Sequence, residues 1–185
     1  MSERVCPPWV GVLLASPLRK LAQDPVAILS PYVQEGMTAL DIGSAMGFFS
    51  LPLARLVGES GRVICVDLQE KMLASLEKRA SREGLLSRIE TRLCRADSLG
   101  LKDLGAVADF ALAFAVVHEV PEPKHLFGEI HSALKLNGTF LFCEPRGHVN
   151  REAFDGSVFL ARSVGFSVRG EPKIRRSHSA LMAKS

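Results

Sequence analysis

Residues 38–47 read TALDIGSAMG, a short apolar run that carries one aspartate and passes into a loop with two glycines. The β-branched and apolar character of 38–42 predicts a strand. The spacing of apolar residues over 47–57 predicts a helix, with Pro52 in its early turns, where the loss of a backbone N–H costs least. A strand, a glycine loop and a helix in succession are the opening unit of an α/β fold.

The same alternation continues along the chain. Short apolar runs predict strands, and stretches with apolar residues every three or four positions predict helices between them. Strands that alternate with helices indicate a mostly parallel sheet covered on both faces. The predicted strands are 38–42, 62–66, 89–94, 107–114 and 139–143. The predicted helices are 47–57, 69–83, 122–136 and 151–164, the third ending on a C-cap of Asn137 and Gly138.

The two ends of the chain differ from this middle part. Two strand-like runs, 166–169 and 177–182, are separated by Gly170-Glu171-Pro172 and predict an antiparallel hairpin. The first 37 residues contain five prolines and are expected to form a leader of short helical pieces. A chain of 185 residues is expected to be one domain over 1–185, with the leader at 1–37 and the core at 38–185.

The composition excludes several classes of protein. Hydrophobic residues make up 47% and charged residues 23% of the chain, which excludes disordered, fibrous and disulfide-rich proteins. Lys plus Arg number 23 against 20 Asp plus Glu, and the net charge of +3 is too small to indicate a nucleic-acid partner. No apolar run approaches the roughly 18 residues of a membrane-spanning helix.

The cysteines and the leader bear on the compartment. The four cysteines, at 6, 65, 94 and 143, form no CxxC pair, and we expect thiols in a reducing compartment. The apolar segment 9–15 follows two prolines and precedes no A-x-A site, a poor match to a secretory signal. We therefore expect a cytoplasmic protein. The apolar leader needs a surface to pack on, which leaves a homodimer open.

Polar side chains mark the ends of the predicted strands. In an open parallel sheet, ligands bind at the carboxyl ends of the strands, near the point where the strand order reverses. Polar residues are sparse inside these strands, yet they follow each of them. They are Asp41, Asp67, Asp97 with Ser98, His118 with Glu119, and Glu144.

The first loop bears on the class of cofactor. A dinucleotide site has the pattern G-x-G-x-x-G, and its helix N-terminus receives an anionic pyrophosphate. Here the pattern is D-x-G-x-A-x-G, so Asp41 would place a carboxylate beside that group. The loop therefore favours a ligand with no phosphate and with a cationic head group, which Gly43 and Gly47 allow the backbone to approach closely.

Two further aspartates suit a nucleoside. Asp67 follows Gly47 by 20 residues, the position from which a carboxylate can accept two ribose hydroxyls. Asp97 could accept from an exocyclic adenine amine. Other roles stay open for each: Asp67 as a helix N-cap, Asp97 with Ser98 as an Asx turn, and the glycines as parts of a tight strand–helix turn.

Five segments carry a resemblance to a known family. They are LDIGSAMGFFSLPLA (40–54), VICVDLQEKML (63–73), CRADSLG (94–100), ADFALAFAVVHEVP (108–121) and LKLNGTFLFCEP (134–145). In this order and spacing, the chain resembles the Rossmann-like S-adenosylmethionine-dependent methyltransferases over about 38–145. It is most similar to the subgroup typified by ubiquinone/menaquinone-biosynthesis C-methyltransferases.

The resemblance implies a fold, a cofactor and a reaction. The fold is a three-layer αβα sandwich around a mostly parallel seven-stranded sheet whose last strand is antiparallel. The cofactor is S-adenosylmethionine, and the reaction is methyl transfer to carbon or oxygen of a small organic acceptor, with quinone-like rings among the candidates. The cofactor-binding positions are Asp41, Gly43, Ser44, Ala45 and Gly47, Asp67 and Leu68, Asp97 and Ser98, and Phe114 and Ala115.

Two positions depart from the family pattern. Ala45 stands where the middle glycine is usual, so the loop approaches the cofactor less freely. Phe114 stands where many relatives carry Asn, which removes one polar contact to the methionine part.

The acceptor side depends on three residues. His118, Glu144 and His148 follow the fourth and fifth strands and are the candidate catalytic residues, with one histidine as a general base. In the alternative, Glu144 and His118 only hold two loops together. The spacing supports no metal site. His125 and His131 are expected to face solvent.

Single features of the sequence bear on other functions. The fourth strand ends in Ala-Val-Val-His-Glu (115–119) and lacks the Asn/Asp-Pro-Pro-aromatic motif of base methyltransferases, which disfavours RNA or DNA as the substrate. The basic residues Lys173, Arg175 and Arg176 form either a solvated turn or a phosphate contact. A non-catalytic S-adenosylmethionine-binding protein remains a further alternative.

Overall fold

A seven-stranded sheet with the order β3-β2-β1-β4-β5-β7-β6 forms the centre of the computed structural model, which describes residues 23–185. The strands are β1 (Thr38–Ile42), β2 (Arg62–Asp67), β3 (Ile89–Leu93), β4 (Ala108–Phe114), β5 (Leu134–Pro145), β6 (Phe166–Gly170) and β7 (Ser177–Lys184). The helices are α1 (Pro25–Leu29), α2 (Ser50–Leu56), α3 (Glu70–Arg82), α4 (Pro123–Ala133) and α5 (Arg151–Ser163), with 3₁₀ turns at Leu86–Arg88 and Val117–Glu119.

The strand pairing confirms the predicted fold class. β1 pairs in parallel with β2 and β4, and the parallel pairing continues to β3 on one side and β5 on the other. β7 lies between β5 and β6 and is antiparallel to both, so the predicted C-terminal hairpin is confirmed. The strand order reverses between β1 and β4, which places the expected binding edge at the carboxyl ends of these strands.

Two apolar clusters cover the two faces of the sheet. One joins Leu40 and Ile42 to α4 and α5, where Phe127 and Phe154 are buried. The other joins the alternate strand positions to α1, α2 and α3. The central strands are buried on both faces, and this is why they read as continuous apolar runs in the sequence.

The helix predicted over 122–136 ends earlier than expected. α4 ends at Ala133, and Leu134 is already extended and begins β5. Asn137 has φ +63°, but it lies inside β5, where the pairing shifts from Ala108–Leu134 to Phe110–Thr139. The predicted C-cap is therefore wrong. Asn tolerates the left-handed conformation, and here it serves a bulge in the strand instead.

Several smaller expectations are settled by the fold. His131 does not simply face solvent, because its ring packs edge-on against Phe166 at 5.1 Å, whereas the side chain of His125 is 54% exposed. Cys65, Cys94 and Cys143 are free thiols. The leader prediction for 1–22, with Cys6, lies outside the described residues. Across 23–185, no helix is long and apolar enough to cross a membrane.

Candidate functional site

A cavity of about 780 Å³ lies at the carboxyl ends of the parallel strands. This volume is in the range of a small-molecule site. All of the predicted site residues line it except Gly47 and Glu144. Those that do are Asp41, Gly43, Ser44, Ala45, Asp67, Leu68, Asp97, Ser98, Phe114, Ala115, His118 and His148.

The loop after β1 is held by its own glycines and by β2. The N–H groups of Gly43 and Ser44 both donate to the carbonyl of Val66, at 2.9 and 3.1 Å. Gly43 has φ +71°, and a Cβ there would lie 2.7 Å from Val116. A Cβ at Gly47 would meet Leu76 at 3.1 Å. Protein side chains fill the space beside both glycines. The absence of a Cβ at these two positions therefore serves the packing of the tight turn.

Asp41 is a buried carboxyl group in the wall of the cavity. Ser50 donates a hydrogen bond to it over 2.6 Å. Burial raises the pKa of Asp41 to about 7, with a further increase from the nearby Asp67 and an opposing decrease from Ser50. A cation bound next to Asp41 would favour its ionised form. Ser50 lies at the start of α2, and no motif in the sequence marks it as a partner of Asp41.

Asp67 links the first loop to helix α3. Its Oδ2 accepts from the N–H of Ala45 at 2.8 Å, and its Oδ1 accepts from the N–H of Gln69 at 2.9 Å. The N-cap of α3 is Gln69, so the alternative that Asp67 is the N-cap residue is wrong, although its carboxylate does bond that end of the helix. Burial raises the pKa of Asp67. Each carboxylate oxygen retains acceptor capacity for a ligand hydroxyl.

The loop after β3 presents Asp97 to solvent. The side chain of Asp97 is 71% exposed and pairs with Arg95 at 3.0 Å, which lowers the pKa of Asp97. Ser98 also lines the cavity, and its hydroxyl donates to Oε1 of Glu129 at 2.8 Å. No motif in the sequence marks Glu129 as a site residue. Its only signal there is an acid beside Ile130 on the apolar side of α4.

His118 and Glu144 form a close pair. The side chain of Glu144 is 2% exposed, and its Oε2 lies 2.6 Å from Nδ1 of His118. A carboxylate only accepts, so Nδ1 carries the proton and Nε2 of the neutral ring is a base. The hydrogen bond that His118 donates to Glu144 raises the pKa of His118. The ring of His148 lies 5.6 Å from that of His118, and Oε1 of Glu119 lies 4.0 Å from Nε2.

Aromatic rings form an apolar part of the cavity wall. Phe114 packs on Phe49 with ring centroids 4.5 Å apart, and Phe48 meets Phe49 edge-on at 5.0 Å. All three line the cavity. Within 23–185, no group of three or more His, Cys, Asp or Glu side chains is arranged to hold a metal ion.

The chain is similar to known methyltransferases. The family model described as "Methyltransferase domain" matches residues 33–165. Over 130 residues, the chain is 31% identical to "Ubiquinone/menaquinone biosynthesis C-methyltransferase UbiE" of Escherichia coli O1:K1, covering 69% of this chain and 51% of that protein. The same enzyme of Escherichia fergusonii is 26% identical with the same coverage. The chain spans about half the length of the curated relatives that it matches.

Solved structures share the whole fold. A SAM-dependent methyltransferase from Aquifex aeolicus has a TM-score of 0.84 at 24% identity, covering 97% of this chain and 98% of that chain. A TehB-like SAM-dependent methyltransferase from Corynebacterium glutamicum has a TM-score of 0.75 at 15% identity, with 97% and 100% covered. At these identities the likeness establishes the fold.

Proposed function

Because the chain belongs to the methyltransferase domain family of S-adenosylmethionine-dependent proteins, we propose that it transfers the methyl group of this cofactor to carbon or oxygen of a small organic acceptor. One observation carries the proposal. In a single cavity, carboxylates at the strand ends lie together with a histidine that a buried carboxylate holds through Nδ1. This arrangement offers both a nucleoside site and a base.

The cofactor is proposed to lie along the carboxylates. Asp67 would accept the ribose hydroxyls, with Leu68 beside it, and Asp97 would accept the adenine amine. The methionine part would contact Gly43, Ser44 and Ala45 of the loop that Gly47 closes, together with Phe114 and Ala115. A sulfonium and an ammonium group suit Asp41, since a cation offsets the cost of ionising a buried carboxyl group.

The residues of the chain are proposed to align the reactants and to remove a proton. When bound, S-adenosylmethionine supplies an electrophilic methyl group. Alignment of nucleophile, methyl and sulfur is worth up to about 7–11 kcal/mol. Nε2 of His118, or the ring of His148, takes the proton that the acceptor loses, and Glu144 stabilises the resulting imidazolium. Phe48 and Phe49 provide apolar contact for the acceptor.

The remaining parts of the proposal concern the whole chain. We propose that 1–185 acts as one cytoplasmic domain that forms no complex with nucleic acid, and that the leader supports a homodimer. The relatives named above act in ubiquinone and menaquinone biosynthesis, which makes a quinone-like ring the first acceptor to test. Light scattering of the purified chain measures the dimer directly.

Native mass spectrometry of freshly purified protein tests the cofactor, and calorimetric titration with S-adenosylhomocysteine measures its affinity. Transfer of a labelled methyl group is then measured with a panel of quinols, phenols and enols. Asp67→Ala, which should bind the cofactor weakly, is the negative control. If no cofactor binds, the proposal fails. If the cofactor binds tightly and no acceptor is methylated, the non-catalytic binding protein becomes the better description.

A further inference from the structure

Glu129 is a buried carboxylate at the end of the cavity where the adenine is proposed to lie. It lies on α4, its side chain is 7% exposed, and it lines the cavity. A buried carboxylate is costly unless hydrogen bonds satisfy it. Both of its oxygens are satisfied by the loop after β3: Oε1 by the hydroxyl of Ser98 at 2.8 Å and Oε2 by the N–H of Leu99 at 2.6 Å.

These bonds fix the turn that carries Asp97. The backbone of Arg95 and Ser98 is paired in both directions, at 3.0 and 3.2 Å, so that Asp97 lies at the tip. The Ser98 hydroxyl donates a hydrogen bond to Glu129 and accepts one from the N–H of Gly100 at 3.1 Å. A hydroxyl has one proton, so Ser98 has none left to donate to a ligand. The anchor of the turn on the opposite wall is therefore Glu129.

We propose that Glu129 is a positioning residue that holds Asp97 where it can distinguish a 6-amino purine from a 6-oxo purine. The inference rests on the proposed function, because it concerns the adenine end of the same site. An ionised Asp97 accepts a hydrogen bond from a 6-amino group and is repelled by a 6-oxo oxygen. A fixed carboxylate discriminates between the two, whereas a carboxylate on a mobile turn moves away from the unfavourable contact. His125 is not a hydrogen-bond partner of Glu129, because its Nε2 lies 3.7 Å from Oε2, beyond hydrogen-bond distance.

Glu129→Gln tests the inference. The glutamine keeps one acceptor, but its amide presents N–H groups where the loop also donates. Calorimetry with S-adenosylhomocysteine and with S-inosylhomocysteine measures both affinity and preference. In the unmodified chain, the adenine compound should bind more tightly. In the variant, we expect the affinity for S-adenosylhomocysteine to fall about 10–100-fold and the preference to shrink.

Two further variants keep the experiment decisive. Ser98→Ala removes one of the two bonds and should give a smaller change in the same direction, and it decides the outcome if Glu129→Gln does not fold. Glu152→Gln, an exposed acid on α5, is the matched control and should match the unmodified chain. Thermal unfolding measures the stability of each variant.

The outcomes separate this inference from the proposed function. If the unmodified chain binds neither compound, the proposed function fails. If it binds S-adenosylhomocysteine, and Glu129→Gln weakens both compounds equally or neither of them, Glu129 has only a structural role and the inference is overturned.

Discussion

His118 and Glu144 are joined by two hydrogen bonds: Nδ1 lies 2.6 Å from Oε2, and the backbone N–H of His118 donates to Oε1 at 3.1 Å. The second bond fixes the 3₁₀ turn after β4 against the end of β5. The first fixes the ring and its tautomer. The pair therefore holds two loops together, and the base role of the oriented ring is tested by turnover.

Glu144→Gln should lower turnover while leaving the affinity for S-adenosylhomocysteine within about 0.5 kcal/mol of the unmodified chain, because Glu144 does not line the cavity. We expect a loss of about 10²–10⁴-fold, the usual contribution of a positioned base. Glu144 raises the pKa of His118. As the pH falls, the neutral ring that acts as the base is therefore protonated at a higher pH than a free imidazole. In the variant, the acid limb of the pH–rate profile should move to lower pH.

Histidine variants identify which ring is the base. His118→Ala or His148→Ala should cost a similar factor in turnover, again with cofactor affinity retained. If neither loses more than tenfold, catalysis is alignment alone and the histidines are structural. A collapse of cofactor binding would instead assign these side chains to the methionine pocket.

Asp67→Ala should weaken the binding of S-adenosylhomocysteine by about 2–4 kcal/mol, because a charged acceptor of two hydroxyls is removed. The variant also removes the partner of the Ala45 N–H, so unfolding measurements must show that the loop variant is folded. Leu68→Ala, next to it and 45% exposed, is the matched control and should cost less. Calorimetry showing less than about 0.5 kcal/mol for Asp67→Ala would exclude the ribose assignment.

The strands were predictable because their burial leaves a local trace. A strand buried on both faces is an apolar run, as β1, β2 and β4 are, and the polar residues that follow such strands lie at one edge of the sheet. The end of α4 was not predictable, since Asn137-Gly138 suits a C-cap and a bulge equally. Only the pairing of Phe110 with Thr139 decides between them.

The partners of the site residues were the least predictable part. Ser50 and Glu129 were both missed, and Glu129 is 31 residues away in sequence from Ser98, to which it bonds. A single acid on the apolar side of a helix belongs to no sequence pattern that predicts its hydrogen-bond partner. The strand-end residues could be found because topology alone brings them together, whereas these contacts depend on side-chain packing.

Asp41→Asn should make the ligand-free protein more stable than the unmodified chain, by an amount that increases as the pH rises. The folded-state pKa of Asp41 is about 7 against an ordinary 3.8, so the folded protein holds this proton more tightly than the unfolded chain. The stability contributed by this group is complete below pH 3.8 and is lost as the pH rises through about 7. Between pH 5 and 8, the difference in the free energy of unfolding between the variant and the unmodified chain should increase by about 2–3 kcal/mol in favour of the variant.

Denaturant unfolding at several pH values measures this difference. Ser50→Ala, which removes a bond that lowers the pKa of Asp41, should move the titration to higher pH. Parallel stability curves for Asp41→Asn and the unmodified chain would contradict the prediction. The same variant should bind the cationic cofactor more weakly, because the amide has no charge.

Ala45→Gly should stabilise the ligand-free protein. Ala45 has φ +46°, a left-handed conformation that costs an L-residue about 1–2 kcal/mol. The flexibility of glycine offsets about 0.5–1 kcal/mol of this, which leaves a net gain of up to about 1.5 kcal/mol. Ala153→Gly, at an exposed position in the first turn of α5, is the matched control and should lose about 1 kcal/mol. Denaturant unfolding measures both, and equal losses would show that Ala45 is not strained. Because the N–H of residue 45 still donates to Asp67, the affinity for S-adenosylhomocysteine should not fall.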